Sequence, residues 1–248
     1  MKSDKEKIIE AFNAVKELGY VKSNRKNNTG IGKTFEDYIG VIENNIDEAD
    51  LYGFEIKSHR EEAASYITLF TKAPSFPPGA NAYLKDRYGV SYENNDSLKK
   101  LHTSMFADRY NTLNGNYSFR LINDKKGFIK IGVYDINSKQ LIDDNVGYTY
   151  DSIETVLHKK LKSLFYVSAK REYRGDDEYF FFDKAEIYSN PSLTKFLDLL
   201  DNGKIMYDIR IGSYKSGRNF GKAHDHGSGF RILEPNLRLL YEDFEEIE

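Results

Sequence analysis

The stretch ADLYGFEIKSH, residues 49–59, gathers two carboxylates and an amine around a short apolar run: Asp50, Glu55 and Lys57. Charged groups beside a core are costly unless they are paired, hydrated or bound to a metal. FEIKS has strand character. Alternate strand residues share a face, so Glu55 and Lys57 project together while Phe54 and Ile56 point into the core. Asp50 lies at the turn before the strand, where the chain doubles back towards Glu55. Two converging carboxylates repel, and a divalent cation removes that cost; hard oxygen ligands with room for water suit Mg²⁺. Lys57, roughly 6–7 Å from Glu55 along the strand, is placed to hold a hydroxide or stabilise a phosphorane. The set fits phosphodiester hydrolysis without a covalent intermediate. Glu36, on the preceding helix, offers a third carboxylate as ligand, water-mediated ligand or base. A plain charged strand edge with a Glu–Lys pair has the same spacing.

A second set surrounds AHDHG, residues 223–227. Structural zinc would need three or four ligands; two histidines, one aspartate and no cysteine argue against it. No G-x-S-x-G elbow supports a serine hydrolase. A polar surface turn is one reading. Base reading is the other: Asp208, Arg210 and Tyr214 lie on one face of the preceding strand, and Arg231 returns on the next. Arginine can grip guanine O6 and N7, and aspartate can accept from cytosine N4. A nonspecific binder would need only Lys and Arg.

The elements that must hold these residues follow from periodicity. Ser3 caps a helix with Ile8, Phe12, Val15 and Leu18 on one stripe, ended by Gly19. The loop NRKNNTGIG precedes a second helix opened by Thr34, with Asp37 completing a capping box and Phe35, Ile39 and Ile42 inward. SYITLFTK, apolar on both faces, reads as a central strand, and APSFPPGAN as a rigid loop. Residues 96–106 read as a helix. YSFRLI and FIKIGVYD form a hairpin across NDKKG. Asp151 caps a helix with Ile153, Val156, Leu157, Leu161 and Leu164 inward. LFYVSAKREY and EYFFFDKAEIYS flank RGDD as a second hairpin. A helix runs from Asn190-Pro191 to Asn202-Gly203. KIMYDIRIGSY and FRIL are strands joined by SGRNFGKAHDHGSG. No repeat or linker appears, so one α+β unit of two lobes fits better than separable domains.

Composition bounds the rest. The 248 residues are 40% hydrophobic, enough for a substantial core, and 30% charged. There is no cysteine, hence no disulfide or thiol chemistry and no argument for secretion. The start MKSDKEKIIEAF lacks an apolar signal core and no run approaches a membrane span, which makes a cytoplasmic protein the expectation. The net charge of −3 argues mildly against nucleic acid, but its distribution matters more. Val21 to Thr34 carries Lys22, Arg25, Lys26 and Lys33 without an acid, and Gly203 to Arg231 carries six basic residues, Lys215 and Lys222 among them, against two acids. Two basic loops favour a charged groove; the tail YEDFEEIE is acidic.

NRKNNTGIGKTFED, ADLYGFEIKSH, SYITLFTKAP with PPGAN, and DIRIGSYKSGRNFGKAHDHGSGFRI, taken in order, resemble the MvaI/BcnI group of Type II restriction endonucleases. The resemblance runs to about Ile232 and is weaker over 91–150. It implies an α+β, PD-(D/E)XK restriction-endonuclease-like core, related to the mismatch-repair nicking enzyme MutH: one endonuclease domain over 1–248, two-lobed with a DNA-binding cleft. The catalytic core would centre on 20–75 and a DNA-recognition strand-loop-strand on 204–233. It implies a monomer acting on double-stranded DNA with Mg²⁺, Mn²⁺ able to substitute, in a prokaryotic cytoplasm that also holds a cognate DNA methyltransferase. Glu36, Asp50, Glu55 and Lys57 match the catalytic positions, Asp50 and Glu55 as metal ligands. Asp208, Arg210, Tyr214, His224, Asp225, His226 and Arg231 match the base-contacting region, with Lys26, Lys33, Lys215 and Lys222 as further DNA contacts; Lys215 stands where histidine is expected. Sites of the CCWGG or CCSGG kind are implied, cut one strand at a time. A MutH-like nickase and a non-catalytic DNA-binding module are the rival expectations.

Overall fold

The computed structural model describes residues 2–25, 27, 29–41, 50–61, 65–113 and 115–247. Lys26 and Ile42, singled out above, lie outside them. In chain order the elements are α1 (Asp4–Glu17), β1 (Val21–Lys22), α2 (Gly30–Tyr38), β2 (Glu55–Arg60), β3 (Tyr66–Thr71), α3 (Ala80–Tyr88), β4 (Val90–Tyr92) and β5 (Asn95–Met105). Then come β6 (Tyr117–Asn123), β7 (Phe128–Asp135), β8 (Leu141–Thr149), α4 (Tyr150–Lys160), β9 (Ser163–Arg174), β10 (Asp177–Pro191) and α5 (Leu193–Asp201). β11 (Ile205–Ser213), β12 (Ala223–Asp225), β13 (Gly229–Leu233) and β14 (Tyr241–Ile247) complete the chain.

Two compact units emerge. The first comprises Met1–Ser65, Val156–Ser192 and Arg238–Glu248. Its sheet runs β1-β10-β9-β2, with β14 also on β10. β2 pairs with β9 in parallel, Glu55 opposite Leu164 and Lys57 opposite Tyr166. One sheet face, with Ile56, Phe165, Val167 and Ile187, packs on Ile8, Phe12 and Val15 of α1 and Ile31 and Phe35 of α2. Phe12 meets Phe165 edge-on at 5.9 Å and Phe35 meets Phe182 at 5.0 Å. Burying each such ring contributes about 1.5–3 kcal/mol. The alternation of β2 then turns Glu55 and Lys57 to the other face.

The second unit comprises Tyr66–Thr155 and Leu193–Leu237. Its larger sheet runs β3-β13-β11-β5-β4, with β12 on β11, and β6-β7-β8 form a separate three-stranded sheet. Phe70, Phe196 and Phe230 pack together, with centroids 5.4–6.0 Å apart.

Several elements depart from the periodicity reading. Residues 95–105 are strand. The β4–β5 register shifts between Tyr92↔Asn95 and Ser91↔Lys99, which breaks the two-residue alternation and leaves Leu98, Leu101 and Met105 buried at helix-like spacing. β3 is an edge strand; Leu69 and Phe70 are both buried, Phe70 by contact with α5. α2 starts at Gly30, so Thr34 and Asp37 are interior. They anchor the incoming loop instead: Asn24 N donates to Thr34 Oγ1 at 2.9 Å and Asn24 Nδ2 to Asp37 Oδ2 at 2.9 Å. Thr149 caps α4 through Ser152 N at 3.1 Å, in place of Asp151. Leu18 is exposed, and the acidic tail is strand β14, alternating out from β10. The Ser3 cap holds: Glu6 N donates to Ser3 Oγ at 3.2 Å and Ser3 N to Glu6 Oε2 at 2.6 Å.

Candidate active site and recognition face

A two-residue turn brings Asp50 back onto β2. Leu51 and Phe54 exchange backbone bonds of 3.1 and 2.9 Å, and Tyr52 and Gly53 between them have φ of +50° and +78°. Two consecutive positive φ values are the type I′ hairpin geometry, and glycine takes its share without a Cβ penalty. With Leu51 opposite Phe54, the register sets Asp50 opposite Glu55. Asp50 Oδ2 accepts from Ile56 N at 2.8 Å. Glu55 Oε1 accepts from Lys57 Nζ at 2.9 Å, their side chains 15% and 18% exposed.

The electrostatics show the strain of this gathering. Burial pushes the Asp50 carboxyl above its ordinary value and the Glu55 charge adds to this; the Ile56 amide, Lys57 and Lys160 pull the other way. The buried phenol of Tyr241, at the start of β14, is pushed far up, first by burial and then by Glu55. Sequence reasoning missed Tyr241, because the tail gave no strand signal. Among the described residues no cluster of three His, Asp or Glu side chains is placed to hold an ion. Two hard carboxylates with room for water are a poor zinc set and a fitting one for Mg²⁺, which keeps several waters. Glu36 lines a cavity of about 320 Å³ with Arg25, Thr29, Ile31, Gly32, Lys33 and Ser58. Ser58 falls on the opposite face of β2 from Lys57 by alternation. Lys33 pairs with Asp37 at 2.7 Å.

The second unit holds the arginine–histidine face. Asp208 is buried and its neighbours on either side of β11 converge on it. Ser104 Oγ donates to Oδ1 at 2.9 Å and Arg210 Nε to Oδ2 at 2.6 Å, while Arg231 Nε pairs with Oδ2 at 3.0 Å. Arg231 also donates to Thr68 Oγ1 at 2.7 Å. Tyr214 stacks on His224 (4.3 Å, 11°), and His224 lies 4.2 Å from His226. Gly212 makes room for this packing: a Cβ there would meet Tyr92 Oη at 2.8 Å and His226 Nε2 at 2.9 Å. Asp225 closes the histidine loop, Oδ1 accepting from Gly227 N (3.0 Å) and Ser228 N (2.7 Å) and Oδ2 from Asn81 Nδ2 (2.9 Å). Lys215 lies over the Tyr92 ring at 4.8 Å, and Lys222 reaches Asn219 at 3.2 Å.

His102, Ser104, Thr68 and Tyr92 join this face unannounced. His102 sits directly opposite Arg210 in the β11–β5 register, and its ring meets His226 edge-on at 6.2 Å. Burial, then the charges of His226, Lys100 and Arg210, hold it below the usual imidazole value, with Asp208 opposing. The helix reading of 96–106 hid this residue, which only the pairing of β5 with β11 sets opposite Arg210.

The fold is that of the PD-(D/E)XK restriction-endonuclease kind. The model of the MvaI/BcnI restriction endonuclease family matches residues 9–241. Two solved structures are similar over the full chain. One, a restriction endonuclease MvaI–cognate DNA substrate complex, is 35% identical with a TM-score of 0.88, covering 100% of both chains. The other, restriction endonuclease MvaI in the absence of DNA, is 36% identical with a TM-score of 0.68, covering 100% of this chain and 99% of that one. No curated protein matches. The chain belongs to the MvaI/BcnI restriction endonuclease family, and its activity is that of a Type II site-specific deoxyribonuclease. The expectation of a non-catalytic module is thereby set aside. Among the described residues no helix is long and apolar enough to cross a membrane.

Proposed function

We propose that this chain cuts double-stranded DNA at a short C/G-rich site of the CCWGG or CCSGG kind, by Mg²⁺-dependent phosphodiester hydrolysis at Asp50, Glu55 and Lys57. The observation that carries this reading is the type I′ turn, which sets Asp50 opposite Glu55 with Lys57 bonded to Glu55. Asp50 and Glu55 would hold the cation. When bound, it polarises the phosphate and lowers the pKa of a coordinated water. Lys57 Nζ orients the attacking water and offsets charge on the pentacoordinate phosphorus. Glu36 lines a cavity with Ser58, on the other face of β2 from Lys57 by alternation, and is given no part in the proton transfer.

The core centred on 20–75 does the chemistry and 204–233 reads the bases, within one endonuclease domain. Arg210, Arg231, Tyr214, His224 and His226 face base edges; Lys26, Lys33, Lys215 and Lys222 meet phosphates; Asp225 shapes the loop. The protein works as a monomer in a prokaryotic cytoplasm. It cuts one strand and then rebinds for the other, beside a methyltransferase that protects the same site without touching it. The test is a plasmid digest with Mg²⁺ or EDTA, the ends then sequenced. Discrete double-strand ends in Mg²⁺ and none in EDTA are expected; EDTA-resistant cutting refutes the metal, and nicking without linear product favours a MutH-like role.

A further inference from the structure

We infer that Asp208 is a positioning residue that addresses two arginines and no base; this rests on the reading of 204–233 as the base-reading face. A carboxylate that reads cytosine N4 needs an outward acceptor. Asp208 has a side chain only 6% exposed, and both its oxygens are engaged. Oδ1 accepts from Ser104 Oγ on β5; Oδ2 accepts from Arg210 Nε on its own strand and faces Arg231 Nε from β13. One carboxylate therefore ties together cations from adjacent strands.

The way the arginines are held matters. Among the described residues, the side-chain hydrogen bond of Arg210 runs through Nε alone, and its side chain is 51% exposed. An Nε bond grips the guanidinium from the side and leaves its two terminal nitrogens, the fork that fits guanine O6 and N7, directed outward. Arg231 donates from Nη1 to Thr68 Oγ1 and from Nη2 to the Gly227 carbonyl at 3.4 Å, and its Nε lies 3.0 Å from Asp208 Oδ2 as an ion pair without hydrogen-bond geometry. Without Asp208 two guanidiniums would lie close together with no counter-charge between them, and each would regain the rotamer freedom that readers must lose on binding. Asp208 thus fixes the spacing of two readers, and its influence falls on the base pairs they meet.

The test is single-turnover cleavage in Mg²⁺ of a duplex carrying the site found in the plasmid digest, and of duplexes with each base pair of that site changed singly. Asp208→Asn, Arg210→Ala, Arg231→Ala and the Asp208→Asn/Arg210→Ala double variant are compared with the native protein. Asp208→Asn should lose roughly ten- to a hundredfold in discrimination at the positions lost by Arg210→Ala and also at those lost by Arg231→Ala. The double variant should be no worse than Arg210→Ala at the Arg210 positions. Loss confined to one base pair that neither arginine variant affects, or full additivity in the double variant, makes Asp208 a direct reader and overturns the proposal. An equal fall on every duplex, with discrimination intact, assigns it a purely structural role and overturns it too. Should Asp208→Asn fail to fold, Ser104→Ala, which removes one bond to the same carboxylate, should show a smaller loss at the same positions; unchanged discrimination there overturns the proposal. A native protein without any base preference removes the reading of this face altogether.

Discussion

The turn-and-strand site of the first unit and the arginine face of the second handle charge in opposite ways. At Asp50 and Glu55 two carboxylates stand opposite each other, and burial and mutual repulsion raise the Asp50 carboxyl. Lys57 bonds only to Glu55 in the described contacts. Around Asp208 one carboxylate meets two guanidiniums and a hydroxyl. Under the proposed function a cation would complete the first set, whereas in the second both Asp208 oxygens are already engaged within the protein. The catalytic and base-reading roles proposed for the two sets would call for these different states: a metal site must keep room for its ion, whereas readers bind best when fixed beforehand.

The largest effect that could break this contrast belongs to Lys57. Lys57→Ala should lower single-turnover cleavage by about 10²–10³-fold while binding to duplex DNA persists; a rate within a few-fold of native removes the amine from the chemistry. On the other face, Arg210→Ala or Arg231→Ala should cost about 1–3 kcal/mol of discrimination at a particular base pair, seen in competition between site variants, with the turnover of the best remaining site little changed. Equal losses on all sequences would make them phosphate contacts.

The turn itself is a smaller lever. Gly53→Ala forces a Cβ into a left-handed conformation, which costs about 1–2 kcal/mol by thermal unfolding. It should slow cleavage more than that cost in stability explains, because Asp50 moves with the turn. The same change far from a site would alter Tm alone.

The smallest effect is a titration. Asp50 holds its proton more tightly folded than unfolded, so the stability linked to its protonation is present below its ordinary value of 3.8 and is lost as pH rises through the raised folded value. In the metal-free protein the Asp50 carboxyl should therefore titrate above the ordinary aspartate range. In the metal-free protein, Glu55→Gln should bring the Asp50 titration, followed by carboxyl NMR, down towards it. A native Asp50 titration at or below 3.8 in the metal-free protein would contradict this direction.

Much of this was legible in the chain. The E-x-K alternation put Glu55 and Lys57 on one face because a strand has a period of two, and Phe54 and Ile56 marked the core side. Tyr52-Gly53 hinted at the turn, although a tyrosine with positive φ is not foreseeable from propensity. His102 and Ser104 were not legible, because the β5 register shift imitates helical spacing. The partners of Asp208 were not legible either: strand order β13-β11-β5 is set by tertiary pairing and cannot be read from local pattern. The α2 start was missed because Thr29 makes no side-chain cap bond.

The measurement that bears most directly on the carboxylate pair is Mn²⁺ binding to the full chain, followed by electron paramagnetic resonance, for the native protein, Asp50→Asn and Glu55→Gln. The account predicts a site that the native protein fills and that either substitution weakens at least tenfold, with Mg²⁺ competing for it. Undiminished Mn²⁺ binding in both variants would contradict it.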